Sequence, residues 1–85
     1  MPVISRFNGI EVFMNYNDHN PPHFHVRHRG REAIVQIENG VIVGRLSRPA
    51  LRMLPRWVER HRGELMANWR RARRGEPLHW VTPLP

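Results

Sequence analysis

Asp18, His19, His23 and His25 crowd around a diproline in the stretch Asn17-Asp18-His19-Asn20-Pro21-Pro22-His23-Phe24-His25-Val26. Neutral imidazoles and a carboxylate are ligands for divalent transition metals such as zinc or nickel. Histidines at i and i+2 on a strand leave the same face, roughly 7 Å apart along the chain. His23 and His25 therefore project together, and the preceding loop brings Asp18 and His19 towards them as further metal ligands. The same histidines, His19, His23 and His25, also suit metal-free catalysis. RNA cleavage needs one group to take the 2′-hydroxyl proton, another to protonate the leaving oxygen, and cations to stabilise the charge that develops. The bland alternative is turn chemistry, with Asp18 capping backbone amides and the imidazoles solvated. A cupin-type metal site does not fit, since Glu32, the next acid after His23-Phe24-His25, lies too far along the chain.

The elements that position these groups follow from alternation. Val3 to Phe7, and the stretch from Ile10 on through Val12 and Met14, read as two strands joined by Asn8-Gly9, a dipeptide suited to a type I′ turn. The prolines cannot donate to a sheet ladder, so the segment holding them reads as a rigid loop. His23 to His28 is the third strand, with Phe24, Val26 and His28 on the core face and His23, His25 and Arg27 opposite. After a turn at Arg29-Gly30-Arg31, a fourth strand covers Ala33 to Glu38. Asn39-Gly40 repeats the type I′ pattern, and Val41 to Leu46 is the fifth strand.

Ser47 is a good N-cap for a helix over 48–74 that ends at Gly75 and Pro77. At about 100° per residue, Ala50, Leu51, Leu54, Val58, His61, Leu65, Trp69 and Ala72 fall in one sector of roughly 100°. All nine arginines of the segment fall outside it. Pro55 and Gly63 lie on the basic side, so a single helix or two collinear pieces is expected. The helix arginines face only Glu59 and Glu64 as counter-charges, which leaves Arg52, Arg56, Arg60, Arg70, Arg71 and Arg74 as a surface for RNA or DNA. Trp57, at the edge of the apolar sector, reads as a stacking or interface residue. The tail Leu78-His79-Trp80-Val81 is apolar enough to dock on the sheet or on a partner.

With 85 residues, the chain has room for one domain, residues 1–85. No cysteine is present, which excludes disulfides and thiolate metal sites, and all fourteen basic residues are arginine, giving a net charge of +7. That excess favours polyanions or a small acidic protein as partners, and a second copy of the chain is a further one. No membrane span and no signal segment are expected, and a cytoplasmic location follows.

The chain also resembles a family of small bacterial proteins of unknown function. The likeness is carried by Met-Pro-x-Ile-Ser-Arg-Phe at the start, the Asp-His-x-Pro-Pro-His-Phe-His-Val string, Asn68-Trp69, and Gly75-Glu76-Pro77-Leu78. The resemblance implies a genetic arrangement rather than a reaction. Such chains are often encoded beside a second small protein, as in toxin–antitoxin modules. Pro55 departs from the uninterrupted aliphatic helix of related chains. The expected fold is α+β, an antiparallel meander of four to five strands with one long C-terminal amphipathic helix packed on one face. The expected core is Val12, Phe24, Val26, Val35, Ile37, Leu51, Leu54, Val58, Leu65 and Trp69.

Overall fold

A computed structural model of the protein describes residues 2–85. The strands β1 (Val3–Phe7), β2 (Ile10–Phe13), β3 (His23–His28), β4 (Arg31–Gln36) and β5 (Ile42–Gly44) form one antiparallel sheet in chain order. A single helix, α1 (Arg48–Arg73), follows them. This is the α+β meander and C-terminal helix that the alternation predicts. No helix among the described residues is long and apolar enough to cross a membrane.

Turn chemistry sets the register. Asn8 and Gly9 both take positive φ, 52° and 77°, as a type I′ turn requires. Arg29 and Gly30 do the same at 52° and 76°, so β4 begins at Arg31 instead of Ala33. The third connection differs from expectation. Only Gly40 of the Asn39-Gly40 pair has positive φ, and Gln36 N donates to Val41 O across the four-residue loop 37–40. Asn39 spends its side chain locally, accepting from Val41 N at 2.9 Å and donating to Gln36 Oε1 at 2.9 Å, the self-bonding that makes Asn a loop former. β5 is correspondingly shorter than expected. Its pairing ends at Gly44 opposite Ala33, where φ is +119° and a Cβ would stand 2.9 Å from Ala33 Cα.

The helix covers the sheet face that carries Val12, Phe24, Val26 and Val35, and Leu54, Val58, Leu65 and Trp69 complete the same core. Two expectations need correction. Leu51 is 42 % exposed, whereas Trp57 is fully buried. The buried sector is displaced towards Trp57 because residues 79–84 pack along that flank, and Trp57 Nε1 donates to Thr82 O at 2.9 Å. Leu51, at the opposite edge and in the first turn, is left outside. His28, on the core face, is buried and stands 2.6 Å from Ser47 Oγ, which also accepts from Ala50 N as the N-cap. At the other end Gly75 N donates to Ala72 O and Glu76 N to Arg71 O, the paired bonds of a Schellman cap.

The helix is two pieces joined at His61, where φ and ψ are −119° and 18°. The break lies six residues beyond Pro55, on the far side from the turn a proline ring disturbs, and two residues before Gly63, a poor helix former. The tail docks on its own domain. Buried Asn68 donates to His79 O at 2.8 Å and accepts from His79 N at 2.9 Å. Val81 N then donates to Ile4 O and Ser5 Oγ to Val81 O, so the tail closes the outer edge of β1.

Candidate functional site

The sheet face away from α1 carries two rows across the strands. One is a ladder of alternating charge: Arg6 pairs with Glu11 at 3.3 Å, and Arg27 reaches both Glu11 and Glu32 at 3.4 Å. The next row sets Phe13 opposite His25 and His25 opposite Ile34. Phe13 stacks on the His25 ring, with centroids 5.1 Å apart and planes 12° from parallel. His25 is thus held by packing before it makes any polar contact.

The loop before β3 supplies the carboxylate. Its Asn20–Pro21 peptide is cis, and Pro22 O accepts from Ile37 N at 3.0 Å, which fastens the loop to the end of β4. Arg73 reaches over from α1 to donate to Asp18 O at 3.3 Å. Asp18 Oδ2 then lies 2.8 Å from His25 Nε2 and 3.2 Å from His23 Nε2. These three atoms all lie within 4.8 Å of one another. The rings of His23 and His25 meet edge to face at 5.3 Å, and Trp69 closes the other side of His23 at the same centroid distance.

The tautomer of His23 follows from its other nitrogen. Nδ1 stands 2.8 Å from Pro21 O, which can only accept, so Nδ1 carries a proton. In the neutral ring Nε2 is then a bare lone pair facing a carboxylate oxygen. Two acceptors at 3.2 Å call for a positive charge between or upon them, a shared proton or a metal ion. Ligands bound to one tetrahedral zinc at about 2.1 Å stand about 3.4 Å apart. The Asp18 and His23 atoms already have nearly that spacing, and His25 would withdraw by about half an ångström. The Nδ1–H bond to a backbone carbonyl is also the usual second support of a metal-ligating histidine. Three protein ligands leave coordination positions open. All three side chains retain solvent contact, at 12–22 % exposure.

His19 does not join this set. Asp18 is half-buried against the two imidazoles, whereas His19 beside it in the loop is exposed. It lines an open groove of about 220 Å³ beside His23, with Pro21, Ile34, Gln36 and Val43. Sequence reading passed over several residues of the site. Asn15, whose Nδ2 is 3.3 Å from His25 Nε2, and Phe13 were accessible from strand register. Trp69 and Arg73 come from more than forty positions away and leave no local trace.

The arginines divide. Arg52, Arg56, Arg60 and Arg70 are exposed, and no carboxylate pairs with them among the described residues. Arg71 is tied to Asn68 Oδ1 at 2.9 Å. Arg74 is compensated by Glu76 at 2.9 and 3.2 Å, a bond that raises the guanidinium pKa and lowers that of the carboxylate.

A five-stranded meander under one helix, with a carboxylate shared by two imidazoles at its rim, defines a small α+β domain with a His/Asp site. Residues 9–70 match the model of a domain of unknown function, DUF4160, and the chain belongs to that family. The matched segment contains Asp18, His23 and His25, and the docked tail lies beyond it. No curated protein and no solved structure matches the chain.

Proposed function

We propose that the protein binds a divalent transition metal such as zinc or nickel through Asp18 Oδ2, His23 Nε2 and His25 Nε2. The observation that carries this reading is the convergence of His23 Nε2 and His25 Nε2 on Asp18 Oδ2, at 3.2 and 2.8 Å, with His23 Nδ1 engaged by Pro21 O on its other side. Calorimetric titration with zinc tests it. One ion binds per chain, a chelator reverses the binding, and affinity falls on acidification because imidazole must be neutral to ligate. His23→Ala and His25→Ala each remove the binding to a similar extent. No heat beyond dilution would reject the metal and leave a shared proton as the counterpart of Asp18. A catalytic activity that survives the chelator would then belong to acid/base chemistry at the same residues.

A second reading rests on a separate observation, the exposed Arg52, Arg56, Arg60 and Arg70, with which no carboxylate pairs among the described residues. Their exposed charge supports a surface for RNA or DNA, in keeping with a toxin–antitoxin-like module. Arg60 lies nine residues before Trp69, the helix residue packed on His23, about 14 Å along the helix at 1.5 Å per residue. Arg52, Arg56 and Arg60 and the His/Asp site are therefore two features, and neither requires the other, whereas Arg70 adjoins the Trp69 that packs on His23.

A further inference from the structure

We infer that the seam between α1 and the C-terminal segment is a path for a single nucleic-acid strand, with Trp80 as its base-stacking residue. This rests on the nucleic-acid reading and adds to it a strandedness, a route and a residue outside the arginine set.

The tail runs along the helix towards its N-terminus. His79 is clamped by Asn68, Thr82 O is bonded by Trp57, and Leu84 lies beside Arg56 and Arg60. Two shallow grooves open at this seam. One, of about 330 Å³, is bordered by Arg56, Glu59, Arg60 and Leu84. The other, of about 150 Å³, is bordered by Glu64, Asn68, Arg71 and Trp80 among its walls. From Arg56 to Arg71 the path is about 22 Å long, suited to a site on the order of four nucleotides.

Trp80 is the unusual member. It is 55 % exposed, while Val81, Leu84, Trp57 and Trp69 are all buried. Alternation along the extended tail turns Val81 inwards onto β1 and Trp80 outwards, so the core has no claim on the indole. Arginines and an exposed indole along one seam match the alternation of phosphates and planar bases in a single strand. A duplex keeps its base faces stacked inside and could use only the arginines. An acidic peptide would likewise leave the indole unmatched. Of the two acids in the seam, Glu64 is already held by His61 Nδ1 at 2.8 Å.

The test uses the whole chain with a short fluorescein-labelled RNA strand, its duplex, and polyglutamate as competitor. The single strand should bind about 10-fold more tightly than the duplex, and Trp80→Ala should remove about that factor for the strand alone, with Trp80→Phe restoring most of it. Because Trp57 and Trp69 are buried, indole quenching on binding reports Trp80. Near-ultraviolet circular dichroism of Trp80→Ala checks that the tail remains docked. If both RNA forms bind alike and Trp80→Ala changes nothing, the path falls and the arginine surface stands. If neither RNA binds, or polyglutamate displaces the strand at equal charge, both readings fall.

Discussion

At the scale of single residues, the site turns on Asp18. Its Oδ2 is the one atom that both imidazoles share, so replacing it removes the negative charge while leaving the rings packed on Phe13 and Trp69. Asp18→Asn should weaken zinc binding at least about 100-fold, beyond the 10–100-fold typical of losing an outer partner. His19→Ala should leave it unchanged, and calorimetry on the two variants decides this. A loss with His19→Ala equal to that with Asp18→Asn would mean that the ion sits in the outer groove instead. The sequence makes the pair His23 and His25 plain, because strand alternation fixes their common face. It cannot tell which of the neighbours Asp18 and His19 turns inwards, since that depends on a loop geometry anchored by Ile37 and Arg73 from distant parts of the chain.

Among the elements, local rules served well where local energies dominate. Asn8-Gly9, the Ser47 cap and the Gly75 stop are each settled within a few residues. Leu51 and Trp57 exchanged places because the tail, whose position no periodicity reveals, widens the helix's buried sector on one side. Asn68 is the residue that holds that tail. It is fully buried, and removing it strands both the N–H and the C=O of His79. Asn68→Ala should cost about 2–4 kcal/mol in denaturant melts. Hydrogen exchange should show the amides of residues 79–82 losing protection first. At the other side of the sheet, Gly44→Ala would place a methyl 2.9 Å from Ala33 Cα and 3.0 Å from Glu32 O at positive φ. We expect a loss of about 1–3 kcal/mol, and exchange at Val43 rising with it, as β5 lifts away. Unchanged exchange at β5 would show that the backbone can shift to admit the methyl.

For the whole molecule, the net charge of +7 is carried by arginine alone and is unevenly neutralised. On the open sheet face Arg6 and Arg27 have acidic partners, and at the helix end Arg74 has Glu76, whereas among the described residues the long side of α1 has none for Arg52, Arg56 and Arg60. RNA binding should thus be salt-dependent. The triple replacement of those three by alanine should flatten the slope of log affinity against log salt by about one unit per arginine. A slope indifferent to the replacements would move the surface elsewhere. Metal affinity should not change in the same variant, since the nearest of the three, Arg60, lies nine residues, about 14 Å along the helix, from the Trp69 that packs on His23.

The bond from Ser5 Oγ to Val81 O joins residues 76 positions apart and gives the fold an order in time. During synthesis the first hairpin emerges early, yet the outer edge of β1, on the side away from β2, stays uncovered until Val81 has followed. Until then β1 presents an open row of amides and carbonyls, the template on which strands of other chains pair. A chain broken off before Val81 keeps its meander, its helix and all three site residues, but it keeps that edge open for good. Such fragments should accumulate as insoluble material, and the pellet fraction of a chain truncated after Trp80 checks it.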